Sequence, residues 1–163
     1  MKRSILFSVL LASLSLAALA QQNNIWTFGH NAGLDFNNGT AVAITDSMIT
    51  ESACASVASR SGDLLFYTNG ETIWDRNHAV MPNGTGLSGD PGSALLQGAL
   101  IIPFLNDTNK YYVFSMKDFA TSGLDDLYYS VVDLSLNNGL GDVVATQKNV
   151  WVQSGNGSAL AAI

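Results

Sequence analysis

The chain has two histidines, His30 and His78, and one cysteine, Cys54. Each histidine lies in a loop near a carboxylate, Asp35 or Asp75. A zinc site draws on three or four ligands at close spacing, and two isolated histidines do not supply them. Cys54 sits in the small-residue run Ala53-Cys54-Ala55-Ser56-Val57 and reads as a small buried hydrophobe. A nucleophilic thiol would need an adjacent base, which the sequence does not indicate. Asp107 with Asn109, and Asp125 with Asp126, could offer oxygen ligands to calcium. Neither follows the twelve-residue loop of an EF-hand, and both read as surface turns. Glycoside hydrolysis needs two carboxylates at a set separation. Thirteen acidic residues guarantee some pair, so their count decides nothing. No Gly-x-Ser-x-Gly elbow and no Gly-x-x-x-x-Gly-Lys phosphate loop occurs. No residue is therefore assigned a catalytic, cofactor-binding or metal-binding role. The candidate ligand-contact loop is Trp74-Asp75-Arg76-Asn77-His78, where an aromatic ring stands beside an acid–arginine pair. Such a group could line a sugar site. The competing reading makes Asp75 and Arg76 a strand-end salt bridge or loop anchor.

These residues need strands to position them. Gly62 to Asp75 reads as a hairpin, with Leu64-Leu65-Phe66-Tyr67-Thr68 and Thr72-Ile73-Trp74-Asp75 joined at Asn69-Gly70. Asn-Gly tolerates the positive φ of a two-residue type I′ turn. That turn would pair Thr68 with Glu71 and Phe66 with Ile73. Leu64, Phe66 and Ile73 would then share one face, and Leu65, Tyr67 and Trp74 the other. Both faces are apolar, so the hairpin is expected to be covered on both sides.

Short strands are also expected at Asn24–Phe28, Leu34–Phe36, Ala41–Ile44, Ala53–Ala58, Leu95–Pro103, Lys110–Met116, Leu127–Leu134, Val143–Val144 and Val150–Val152. The stretch Asp75–Gly92 is a long loop rich in glycine and proline, of the kind that carries function or packs over an edge. No amphipathic helix is legible after residue 20. A faint repeat aligns Ala53–Asp75 with Ala99–Leu134 at a step of about 46 residues, near the ~40–50 residues of a propeller blade.

Residues 1–20 have the layout of a signal peptide. Lys2 and Arg3 precede the apolar run Ile5–Leu19, and Ala18-Leu19-Ala20 forms a cleavage site before Gln21. The apolar run is shorter than the ~20 residues of a membrane-spanning helix, so no membrane span is expected after cleavage. Of seven basic residues, loss of Lys2 and Arg3 leaves five against thirteen acidic ones. That balance argues against nucleic acid, which calls for basic patches. Charged residues make up 12% of the chain against a usual ~25%, so Asn, Ser, Thr and Gly must build much of the surface. A single cysteine rules out a disulfide framework within the chain, and the core must carry stability. Four Asn-x-Ser/Thr triplets, at Asn38, Asn83, Asn106 and Asn156, read as turn sequences.

Three blocks together resemble a known group of proteins. The first is Asn24-Ile25-Trp26-Thr27-Phe28-Gly29 with Ala32–Phe36. The second is Leu64–Gly70 with Ile73–His78 and Met81-Pro82-Asn83-Gly84. The third is Tyr111–Phe114 with Tyr129–Asp133 and Gly139-Leu140-Gly141. They resemble the N-terminal β-propeller-like region of large exported Bacteroidetes surface proteins, the gliding-motility-associated proteins with a type IX secretion sorting domain. The resemblance spans nearly all of residues 24–150. It implies a secreted or cell-surface location, adhesion-type repeats downstream, and no catalytic residues. In one departure, the acidic residue that the family carries before the Leu-Leu-Phe-Tyr strand is missing from Ala58-Ser59-Arg60-Ser61.

The expectation is thus an all-β chain: a signal-peptide helix over 1–20, then antiparallel blades of an incomplete propeller over 21–163, about two in number. The expected function is a non-catalytic interaction module that binds a glycan or another surface protein. The alternatives are a carbohydrate-active propeller enzyme, sialidase- or lyase-like, and a structural spacer of a surface filament. A cluster of Arg, Glu and Tyr around one loop end would favour the enzyme; the only arginines after residue 20 are Arg60 and Arg76, which leans against it.

Overall fold

A computed structural model describes residues 23–92, 97–117, 125–156 and 159–161. The expected signal peptide lies outside the described residues. The fold is all-β, built from three antiparallel sheets, none of them closed.

The first sheet orders β1 (Ile25–Phe28), β2 (Ala32–Asp35) and β3 (Val42–Ile44) side by side. The second orders β4 (Ala55–Ala58), β5 (Leu64–Thr68) and β6 (Ile73–Asp75). The third starts with β7 (Ala99–Pro103), β8 (Lys110–Lys117) and β9 (Asp125–Asp133). β10 (Asp142–Val143) and β11 (Val150–Asn156) then share the free edge of β9. The repeat legible in the sequence is therefore two successive meanders, β4-β5-β6 and β7-β8-β9. The sheets are packed in series through their first strands, β1 against β4 and β4 against β7. The Ser56 hydroxyl ties the first two together by donating to the Ile25 carbonyl at 2.7 Å. Among the described residues the only helical pieces are two 3-10 turns, Asn137–Gly139 and Ala145–Gln147. No helix among them is long and apolar enough to cross a membrane.

The central hairpin corrects the expected register. Thr68 pairs with Ile73, Tyr67 with Trp74 and Phe66 with Asp75, so the connection has four residues rather than two. Only Gly70 has positive φ, at 88°, which rules out a type I′ turn. The cause is side-chain capping. Asn69 Oδ1 accepts from the backbone of Glu71 at 3.0 Å and of Thr72 at 2.8 Å. Thr68 Oγ1 donates to the Thr72 carbonyl and accepts from Gly70 N–H. Asparagine here mimics a backbone turn instead of entering the left-handed region.

A two-residue shift keeps each side chain on its expected face, and Phe66 and Ile73 do share one core while Tyr67 and Trp74 share another. Leu64 and Leu65 exchange sides. A β-bulge against β4, between Val57↔Phe66 and Ala58↔Leu64, inserts one residue into β5. Leu65 consequently packs beside Phe66, and Leu64 beside Tyr67.

The second sheet is covered on both faces, as its pattern requires. On one side Phe66, Ile73 and Val57 meet Tyr111, Val113, Val132 and Val143 of the third sheet. Phe66 and Tyr111 pack edge to face at 5.3 Å. On the other side Tyr67 and Trp74 stack at 5.4 Å beneath Met48, from the connection between β3 and β4. Each such fully buried side chain is worth ~1.5–3 kcal/mol.

The long loop after β6 packs over an edge. Its backbone returns along β6, with Met81 N–H on the Ile73 carbonyl and Ile73 N–H on the Gly84 carbonyl. It also straps the second sheet to the third. Asn83 binds the Asp142 carboxylate through backbone and side chain, and Asn149 accepts from Ser88 N–H and donates to the Gly86 carbonyl.

Candidate functional site

The loop Trp74–His78 is divided by the fold between two neighbourhoods. Trp74 and Asp75 are buried. The Asp75 carboxylate accepts the backbone N–H groups of Asn77 at 2.8 Å and Ala79 at 3.1 Å. It is a loop anchor, and it forms no salt bridge with Arg76. This capping carries the chain through His78, whose φ is 64°. Asn77 is exposed at the tip.

His78 turns back onto the second sheet. Its Nδ1 lies 3.0 Å from the Tyr67 hydroxyl, which also accepts Ser47 N–H at 3.0 Å. Asp46 lies close by, with Oδ1 accepting from Met48 N–H and Oδ2 buried without a partner. Burial raises the Asp46 carboxyl above its usual range, opposed by the Met48 hydrogen bond and the charge of His78. Burial likewise raises the Cys54 thiol, with the charge of Asp46 adding to the effect. A thiol held protonated is a poor nucleophile. Burial raises the Tyr67 hydroxyl too. This is a closed polar cluster within the fold. His30 stands apart from it, in an isolated bridge with Ile49. Among the described residues no three His, Cys, Asp or Glu side chains come together as a metal site would require.

Arg76 leaves the other way. Its guanidinium crosses to the third sheet and donates to the Gly139 carbonyl. There it helps line an open cleft of about 690 Å³ between the second and third sheets. Arg60 lines the same cleft, from the turn after β4, together with Thr108, Asn109 and Tyr111. Apolar contacts come from Leu65, Phe104 and Leu134. No Asp or Glu is among the lining residues. Lys110 pairs with Asp107 at 3.0 Å and Asp133 at 3.8 Å, and neither arginine has an ion-pair partner among the described residues. The Tyr111 ring is buried while its hydroxyl has no hydrogen bond among the described residues. Burial raises that hydroxyl, and the nearby charge of Arg60 pulls it back.

Local sequence explains how the two arginines reach one place. β4 and β6 are the first and third strands of a meander and run the same way, so the turns that follow them emerge at one end. In the first turn Ser59 Oγ accepts the N–H groups of Ser61 and Asp63, both at 3.1 Å. A serine cap thus holds this turn, and Arg60 remains exposed. By sequence Arg60 counts against an enzyme, and neither Arg60 nor Tyr111 is placed at a site. The available signal was that Arg60 and Arg76 are the only arginines after residue 20 and follow alternate strands of one meander.

Fold and site together define an all-β protein of serially packed antiparallel sheets with an arginine-lined cleft at one sheet-to-sheet boundary. Compared with family models, curated proteins and solved structures, the chain gives no match.

Proposed function

We propose that this chain is a non-catalytic interaction module of an exported surface protein, its sheets acting as blades of a propeller-type assembly. The observation that carries the reading is the lining of the cleft: two unpaired arginines, hydroxyl and amide groups and apolar surface, without a carboxylate. Such groups hold a ligand and orient it. The packing of β1 on β4 and β4 on β7 supports the propeller, because successive blades meet first along their inner strands. The resemblance over residues 24–150 supports export, adhesion and a role linked to gliding motility.

The sialidase-like alternative draws on Arg60, Arg76 and Tyr111 sharing one cleft. A tyrosine nucleophile needs a base to take its proton. No carboxylate lines this cleft, and burial holds the Tyr111 proton in place. That favours binding over turnover.

The test incubates the purified exported protein with a polysaccharide panel. Retention of a glycan without chain shortening is the expected result. Glycoside turnover lost on substitution of one of the chain's acids would overturn the reading. Mass spectrometry of the exported form checks the export step, with Gln21 as the expected first residue.

A further inference from the structure

We propose that the cleft between the second and third sheets binds an acidic saccharide, a sugar chain whose rings carry carboxylate or sulfate groups. The inference rests on the interaction-module reading and names its ligand class.

Charge makes the first part of the case. The chain carries thirteen acidic residues against seven basic ones, yet Arg60 and Arg76 face a cleft that no acid lines. Neither has an ion-pair partner among the described residues. A guanidinium presents five N–H donors in a planar fork that matches carboxylate and sulfate oxygens. Arg76 spends one of them on the Gly139 carbonyl and keeps the rest.

Pre-organisation makes the second part. The Gly139 carbonyl is delivered by three consecutive residues in the left-handed region, Asn137, Asn138 and Gly139, at φ 50°, 55° and 84°. Asparagine and glycine are the residues that enter that region most readily. The turn is further closed by Gly139 and Gly141 N–H groups on the Leu136 carbonyl. It therefore holds Arg76 across the boundary between two sheets. A positioned donor loses less conformational freedom on binding than a free surface arginine would.

The remaining lining distinguishes a sugar from an acidic peptide. Thr108 and Asn109 are exposed, and their side chains make no hydrogen bond among the described residues. With the Tyr111 hydroxyl they offer three polar side-chain groups, matched to ring hydroxyls. Phe104, stacked on Tyr112 at 4.1 Å, and Leu134 supply apolar surface for the C–H face of a ring. An acidic peptide can be held by an arginine cluster alone, whereas one that adds a strand needs a free sheet edge. This cleft is instead lined largely by turns and strand ends: the turns after β4, β6 and β7, and the segment after β9.

The experiment titrates the purified exported protein by calorimetry with four probes: tetragalacturonate, a chondroitin sulfate tetrasaccharide, maltotetraose and a glutamate decapeptide. At least one acidic saccharide should bind, at least tenfold more tightly than maltotetraose, and lose at least tenfold on raising salt from 50 to 500 mM. Arg60→Gln and Arg76→Gln should each weaken it about tenfold or more, with an unchanged melting temperature. Arg76→Lys should recover only part of the loss, since lysine lacks the planar fork. Carboxylated and sulfated probes identify which acid group the cleft takes. Equal binding of maltotetraose would overturn the acidic specificity and leave the module reading standing. Equal binding of the peptide would overturn the saccharide. Wild-type affinity in both glutamine variants would place the ligand elsewhere and overturn the cleft, as would no binding of any probe. Shortening of a saccharide by the wild-type protein would instead overturn the module reading.

Discussion

Two polar regions flank the second sheet, and they treat their polar groups in opposite ways. On the Tyr67 face, the Tyr67 hydroxyl links Ser47 N–H to His78 Nδ1, and Asp46 Oδ1 accepts Met48 N–H while its Oδ2 stays buried without a partner. On the Phe66 side, Arg60, Arg76, Tyr111, Thr108 and Asn109 open into a cleft. Both regions draw on the same five-residue loop, which sends His78 to one and Arg76 to the other. A polar group that is satisfied inside the fold stabilises it and has little left for a ligand. One held in place with unused donors adds little to stability and is available for recognition. Residue type alone would rank the histidine, cysteine and aspartate cluster as the more chemical of the two. Hydrogen-bond accounting reverses that order.

Stability measurements should separate the two regions. The largest effect is expected from Tyr67→Ala, which removes a fully buried ring and two hydrogen bonds. Aromatic truncations of this kind cost about 3–5 kcal/mol. A melting temperature within a degree of wild type would mean that the closed cluster is not part of the folded core. Gly70→Val comes next, at about 1–3 kcal/mol, because a β-branched residue is strained at φ 88°. Chemical denaturation gives the value directly, and no loss would show that the four-residue connection relaxes freely.

Asp46→Asn should go the other way, with a gain of up to about 1 kcal/mol at pH 7, because it neutralises a buried oxygen that lacks a partner. The sign follows from the raised carboxyl. The folded form holds the proton more tightly than the unfolded chain does. The stabilising contribution is therefore complete below the unfolded value and is lost as pH rises through the folded one. Wild-type stability should fall across that window more steeply than that of the variant. Equal slopes in denaturation curves from pH 4 to 7 would remove Asp46 from the account. The smallest effect belongs to the cleft: Arg60→Gln and Arg76→Gln should each change stability by no more than about 0.5 kcal/mol. A loss above 2 kcal/mol would make the arginines structural and erase the contrast.

The sequence by itself determined the all-β class and most strand positions, because short continuous apolar runs between Asn, Gly and Pro turns, too short for helices, have few other ways to bury their side chains. It also determined that the second sheet must be covered on both faces, since Phe66 with Ile73 and Tyr67 with Trp74 leave it no wet side. The tertiary structure alone decided the register and the fate of each polar group. Asn69 could cap its turn or enter the left-handed region, and its local sequence suits both. The bulge that exchanges Leu64 and Leu65 depends on how β4 meets β5, a pairing set by contacts distant along the chain. Asp75 and Arg76 are neighbours in sequence. Yet the Asn77 and Ala79 amides hold one inward, and a carbonyl 63 residues away draws the other into the cleft. Local sequence encodes what a residue can bond to; only packing between sheets brings the partner within reach or leaves the donor open.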